Sequence, residues 1–218
     1  MLHSHHNASL NVTVHSADHL ADVEHFGKND PYTQITFDYK NEKSFQKTAV
    51  QKNAGKSATW NQTLTLDNYK PEYQELYVEV LDHEKTADAP IGFAAIPLRQ
   101  VLEAPGNVLS AKFDLYTPEG KQKGFITLTI ALAQPGQTSA TIELNAASSP
   151  QTKGTSIIIA DHQHRVKGLK NKERLADGAG LALAGLAAAG AGYLLSQHKN
   201  DKKTEEAAKR DAALAGNQ

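Results

Sequence analysis

Between residues 10 and 132 the chain alternates apolar and polar positions in short runs, with turn residues between the runs. Alternation with period two places the apolar side chains of a strand on one face, and several such runs in succession are typical of an all-β sandwich. The pattern predicts eight strands, over residues 10–14, 33–39, 44–50, 59–66, 76–80, 91–98, 112–116 and 124–132. We therefore expect an eight-stranded antiparallel β-sandwich that occupies residues 8–133.

The pattern changes after residue 133. Residues 134–155 have a linker composition of Gln, Ser, Thr, Ala, Pro and Gly, which offers little to bury. Residues 156–218 form a tail that is basic at first, then rich in Ala and Gly, and charged at its end. Its isoleucine run at 157–159 is compatible with a lone strand. We expect the rest of the tail to be helical or disordered.

The uncharged run at 178–195 has small residues at every fourth position. They are Gly180, Ala184, Ala188 and Gly192. Such a stripe lies along one face of a helix, and a helix of this length reaches ~27 Å, close to the ~30 Å thickness of a bilayer core. Three interpretations stay open: a helix that lies on or enters a membrane, a helix that self-associates, and a flexible tail.

Composition narrows the classes of function. The 218 residues carry a formal net charge of -1 and contain no cysteine. A nearly neutral chain has no overall field that attracts nucleic acid, and the lack of cysteine excludes disulfides and thiolate metal sites. Residues 1–6 contain no apolar stretch, so no secretory signal is predicted and we expect a cytoplasmic protein. Motifs of known hydrolases are absent from the sequence, and we expect a binding protein that is not an enzyme.

Carboxylates gather in two segments between predicted strands, residues 24–32 and residues 82–92. Their members are Glu24, Asp30, Asp82, Glu84 and Asp88. Loops far apart in sequence can meet at one end of a sandwich, and carboxylates without cationic partners favour a cation between them. Calcium takes about six to eight hard oxygen ligands. The alternative is a set of solvated acidic loops, in which Asp30 caps its own turn.

These segments resemble the C2 domain family. The string Gly27-Lys28-Asn29-Asp30-Pro31-Tyr32 is similar to the family's first-loop signature, Gly-x-Ser-Asp-Pro-Tyr. Asp82-x-Glu84 followed by Ile91-Gly92 resembles its Asp-x-Asp third loop and closing glycine, while Thr48 and Trp60-Asn61 match its intervening strands. The resemblance covers residues 10–132, in what looks like the permuted strand order of the family, and leaves the tail unmatched.

The resemblance implies a calcium cofactor at the five acidic positions and a phospholipid membrane as partner. Bound calcium would reverse the charge of the loops and bridge to lipid phosphate. Glu24 and Glu84 stand where the family usually has aspartate, and Gly92 lies one residue closer to Asp82 than is common, which shifts Asp88 relative to the metal. Phe26 is the candidate for insertion into the bilayer, with burial in the core as the alternative.

Lysines offer a second route to the membrane that needs no metal. Lys40, Lys43, Lys47 and Lys52 lie in and around the polar strand predicted at 44–50, where C2 domains often carry a basic patch for phosphoinositides. Alternation places Lys43 and Lys47 on one face of that strand. Lysines on an edge strand also protect a sheet against aggregation, and this alternative stays open.

The sequence thus predicts a C2-domain adaptor that associates peripherally with a phospholipid surface and with a protein partner. The tail supplies a second point of attachment, which strengthens binding by effective concentration. The alternative hypothesis is a calcium-independent interaction scaffold whose tail self-associates through residues 178–195.

Overall fold

A computed structural model of the chain describes residues 8–24, 27–133 and 152–176. The strands are β1 (Ser9–Asp18), β2 (Pro31–Thr36), β3 (Gln46–Lys47), β4 (Ser57–Leu66), β5 (Glu75–Asp82), β6 (Ala89–Pro97), β7 (Val108–Tyr116), β8 (Gln122–Ala133) and β9 (Thr152–Lys153). The helices are α1 (Arg99–Leu102) and α2 (Ala160–Ala176), and short 3-10 turns occupy Glu42–Ser44 and Pro105–Asn107.

The strands β1 to β8 confirm the predicted eight-stranded antiparallel sandwich. They pair in the order β3-β2-β5-β6-β7-β8-β1-β4. β6 and β7 meet at a single residue pair, Phe93 opposite Tyr116, so the order divides there into two four-stranded halves. Apolar side chains from both halves form one core, which includes Val12 from β1, Val78 from β5 and Leu128 from β8.

The polar strand predicted at 44–50 is shorter than expected, although its position at a sheet edge is confirmed. β3 contains only Gln46–Lys47 and lies at the end of the strand order. The chain before it turns instead of extending, because the Asn41 side chain accepts a hydrogen bond from the Lys43 amide and the Ser44 hydroxyl donates to the Asp38 carbonyl at 2.8 Å. Lys43 therefore lies in a turn, and the predicted alternation with Lys47 was wrong.

Residues 152–157, called the strap below, occupy the gap between β6 and β7. β9 pairs in parallel with β7, with Thr152 beside Ala111. Ile157 forms an isolated bridge with Ala95 on β6 and exchanges two backbone hydrogen bonds with it, at 2.8 and 3.0 Å. The strap thus satisfies backbone groups on both strands where the two halves of the sandwich separate.

Gly154 allows the strap to lie against the core. A Cβ at this position would overlap the ring of Phe113, whose side chain is fully buried. The Phe113 ring is held by the core and the strap by its backbone hydrogen bonds. Gly154→Ala should therefore displace the strap and lower the melting temperature by roughly 4–8 °C.

The matched control is Gly168→Ala in α2, where a Cβ would meet nothing within 4 Å. Alanine is favoured over glycine in a helix by ~1 kcal/mol, so this variant should melt slightly higher than the wild type. Thermal unfolding followed by circular dichroism measures both. A melting temperature for Gly154→Ala equal to that of the wild type would show that the strap does not depend on this close approach.

α2 packs on the outer face of the half formed by β3, β2, β5 and β6, the face opposite the core. Its buried side chains are His162 and Val166, which lie one turn apart on the same side of the helix. The His162 ring contacts three aromatic rings of the sheet and its border. These are Tyr39, Tyr77 and Phe93, with centroid distances of 5.2, 5.0 and 5.1 Å. The described part of the tail up to Glu173 is therefore packed on the sandwich.

Candidate metal centre and lipid-binding face

The two acidic segments meet at one end of the sandwich, called the loop end below. β2 begins at Pro31, near the end of the first segment, and β5 ends at Asp82, where the second begins. Pro31 and Asp82 are paired in adjacent antiparallel strands. The start of one strand and the end of its neighbour necessarily lie together in such a pair. This pairing brings the two acidic loops together, as the sequence indicates.

Three carboxylates converge at the loop end. Glu24, Asp82 and Glu84 each place one oxygen within 4.8 Å of the other two. Calcium binds oxygen at about 2.3–2.6 Å, so two ligands of one ion can lie up to roughly 5 Å apart. The spacing and the hard oxygen donors therefore fit a calcium ion.

Asp82 is the distinctive member of this group because its side chain is fully buried. Its Oδ1 accepts a hydrogen bond of 2.5 Å from the Asp30 amide. Its Oδ2 is buried and has no hydrogen-bond partner within the described residues. Burial raises the pKa of Asp82 to about 6, against the opposing effect of the Asp30 amide, and the charge of Glu84 raises it further. A cation would compensate this buried carboxylate.

The carboxylates of Asp30 and Asp88 lie outside this group and have other partners. Asp30 Oδ1 accepts a hydrogen bond of 2.6 Å from the Asn53 amide and so holds the neighbouring turn. Asp88 accepts from the Tyr32 hydroxyl at 2.7 Å and from the Glu84 amide at 3.0 Å. Burial and the bond to Asp88 together raise the pKa of Tyr32. Of the five predicted ligands, the structure gathers three.

The predicted lysines are all exposed, and they are distributed over three segments. Lys47 lies on β3 with its Nζ 5.3 Å from the centre of the Tyr32 ring. Lys40 lies similarly over Tyr39, at 5.9 Å. Lys43 belongs to the turn before β3, and Lys52 to the turn that follows it. The predicted bilayer wedge, Phe26, lies outside the described residues.

A buried ionic cluster joins α2 to the sheet, and the sequence did not predict it. Glu79 on β5 is fully buried. Its Oε2 accepts a hydrogen bond of 2.6 Å from the Gln34 side chain. Its Oε1 lies 3.0 Å from His162 Nε2 and 3.2 Å from Arg165 Nε. In the sequence Glu79 has the alternation of a solvent-facing strand residue, and only the docking of α2 buries it.

Among the described residues, no helix is long and apolar enough to cross a membrane. The Ala/Gly run at 178–195 lies outside the described residues, so its three interpretations stay predictions.

Comparison with known proteins places most of the sandwich in one family. Residues 8–115 match the family described as C2 domain. Tricalbin-2 of Saccharomyces cerevisiae is 31% identical over 123 residues, which cover 56% of this chain and 10% of that protein. Protein SRC2 homolog of Arabidopsis thaliana is 26% identical over 133 residues, which cover 58% of this chain and 41% of that protein. The chain thus spans less than half the length of either relative.

Solved structures with a similar fold include two extended synaptotagmins. A single C2 domain of plant Extended Synaptotagmin 1 is 17% identical with a TM-score of 0.48, covering 60% of this chain and 97% of that one. A calcium-bound pair of C2 domains from Extended-Synaptotagmin 2 is 23% identical with a TM-score of 0.47, covering 58% of this chain and 42% of that one. The ordered loop motifs, the antiparallel sandwich and the family match agree: over residues 8–115 this chain belongs to the C2 domain family.

Proposed function

We propose that this protein is a peripheral membrane module that docks its loop end on anionic phospholipid with the help of calcium. The observation that carries this proposal is the convergence of Glu24, Asp82 and Glu84 within 4.8 Å of one another. The buried Asp82 Oδ2, which lacks a hydrogen-bond partner among the described residues, supports it. A buried carboxylate beside other acids is costly for folding unless it has a ligand to bind.

The residues of the loop end would have different roles in calcium binding and docking. Glu24, Asp82 and Glu84 would hold the ion, and the Asp30 amide would orient Asp82 towards it through Oδ1. Calcium would supply positive charge that bridges to lipid phosphate. Without the ion, the three carboxylates repel an anionic headgroup, so the same residues would prevent docking at low calcium.

Sedimentation with vesicles of phosphatidylcholine and phosphatidylserine tests this proposal. We expect calcium to increase the bound fraction of the full chain at least about tenfold over binding in EGTA, as charge reversal at the loop end requires. The double variant Asp82→Asn, Glu84→Gln should bind equally in calcium and in EGTA, because it lacks two of the three carboxylates that would hold the ion. Asp67→Asn, which removes an exposed carboxylate after β4, is the matched control and should keep the calcium response. Equal vesicle-bound fractions of the wild type in calcium and in EGTA would refute the metal-dependent step.

The same assay separates the alternative, a scaffold that binds proteins and self-associates through its tail. Such a scaffold stays in the supernatant at every lipid and calcium concentration. The contribution of the tail is tested by a chain that ends at Ala176. An earlier cut would remove the strap, which pairs with β7, and α2, which pairs with Glu79.

A further inference from the structure

The three carboxylates that converge at the loop end are held in different ways. Asp82 is the last residue of β5 and Glu84 follows it by two positions, so the pairing of β5 with β2 places this segment. Glu24 lies between β1 and β2, in residues 19–30, whose described part contains no strand or helix. Strand or helix hydrogen bonds therefore do not hold Glu24, and its position depends on what binds the backbone beside it.

Asn29 binds the backbone just before Glu24. The Asn29 residue is fully buried. Its Nδ2 donates a hydrogen bond of 2.8 Å to the Ala21 carbonyl, and its Oδ1 accepts one of 3.2 Å from the Val23 amide. A side-chain amide carries both a donor and an acceptor, so it can bond to an extended segment much as a neighbouring strand does. One side chain thus satisfies two backbone groups that lie close to Glu24 in sequence.

The backbone of Asn29 and Asp30 is anchored on its other side. The Asn29 carbonyl accepts a hydrogen bond of 2.9 Å from the Gly55 amide, in the turn before β4. The Asp30 amide donates to Asp82 Oδ1 at 2.5 Å. These two consecutive residues therefore connect the segment that carries Glu24 with the buried carboxylate at the end of β5.

We propose that Asn29 is a positioning residue of the candidate calcium site, which raises the calcium affinity by holding Glu24 beside Asp82 and Glu84. Both polar atoms of its side chain bond to the backbone, so Asn29 acts through Glu24 and is not a ligand. A ligand that is held in place before the ion binds loses less conformational freedom on binding. The first-loop signature that this segment resembles has serine at this position. This inference rests on the proposed calcium-dependent function.

Calorimetric titration of the full chain with calcium tests this role. Asn29→Ala should weaken calcium binding about tenfold, a factor typical of residues that orient metal ligands without touching the metal. The matched control is Asn41→Ala, because the Asn41 side chain also accepts a hydrogen bond from a backbone amide, that of Lys43, in a turn outside the loop end. This control should keep the wild-type calcium affinity within about twofold.

A double-mutant cycle with Glu24→Gln separates positioning from a general effect on the fold. If Asn29 acts through Glu24, Asn29→Ala should weaken calcium binding less than about twofold when Glu24→Gln is already present. The free energy of unfolding without calcium, measured with urea, reports the structural part of the effect separately. Asn29→Ser is the second variant if Asn29→Ala does not fold, since the resembled signature has serine here, and its calcium affinity should fall in the same direction.

Three results would overturn the positioning role. The first is a calcium affinity of the folded Asn29 variants equal to that of the wild type. The second is an equal loss with and without Glu24→Gln, and the third is an equal loss for Asn41→Ala. If the wild type binds calcium and the Asn29 variants bind it equally well, only the positioning role fails. If the wild type gives no heat of calcium binding, the proposed function fails as well.

Discussion

Glu79→Ala should lower the free energy of unfolding by about 3 kcal/mol and release α2 from the sheet. The variant removes a fully buried carboxylate, which leaves Gln34 and His162 without their shared hydrogen-bond partner and Arg165 without its buried ion pair. Buried polar groups that lose a partner suffer the desolvation cost without compensation, so the loss exceeds that of a surface pair. Urea unfolding measures the free energy, and hydrogen exchange of the α2 amides reports the release.

Glu119→Ala is the control for this experiment because Glu119 is also an acid that pairs with α2. Its partner is Lys170, which donates a hydrogen bond to the Glu119 carboxylate. This bond is the main reason why the pKa of Glu119 is lowered. Both side chains of this pair are exposed by 40% or more, and exposed pairs contribute about 0–1 kcal/mol. Equal losses for Glu79→Ala and Glu119→Ala would show that the buried cluster does not hold the helix.

Asp82→Asn should stabilise the calcium-free domain at pH 7 and remove its response to calcium. Burial raises the pKa of Asp82 from 3.8 to about 6. Between these two values the folded protein retains a proton that the unfolded chain has released, so the free energy of unfolding falls as the pH rises through this window. Above it, the carboxylate of Asp82 lowers stability by about 2–3 kcal/mol. Asparagine carries no charge and should recover most of this amount.

The contribution of the Asp82 carboxyl group is isolated by comparing the free energies of unfolding of the wild type and Asp82→Asn as a function of pH. Asp82→Asn should be more stable than the wild type at pH 7, and the difference should shrink as the pH falls towards 4. Asp67→Asn should show no such trend. Calcium should raise the free energy of unfolding of the wild type and of Asp67→Asn but not of Asp82→Asn, since a ligand stabilises the state that binds it. A variant that is less stable than the wild type at pH 7 would show that neighbouring groups stabilise the charged carboxylate.

The strands follow from the sequence because their determinant is local. Ile126, Leu128 and Ile130 alternate with threonines, and all three lie in the core of the sandwich. Any extended segment with this pattern has one apolar face. Packing two sheets against each other buries the apolar faces of all eight strands. The loop motifs around Asp30 and Asp82 are also local strings, and strand pairing brings them together.

The make-up of the candidate site required the tertiary structure. All five acids have the same chemistry in the sequence, yet Asp88 bonds to Tyr32 and Asp30 to the Asn53 amide, while Glu24, Asp82 and Glu84 converge. Tertiary hydrogen bonds separate the acids that converge from those that hold turns, and no alternation pattern encodes these bonds. The partners in these bonds are distant in sequence.

The tail shows the same division most clearly. Sequence alone determined that this chain contains an antiparallel C2 sandwich with acidic loops at one end, because apolar periodicity and short motifs act over a few residues. Only the tertiary structure decided that Gly154 lies against Phe113 in the gap between β6 and β7, and that Glu79 is buried beneath His162. Burial depends on what covers a residue, and the segment that covers Glu79 is α2, which is distant from it in sequence.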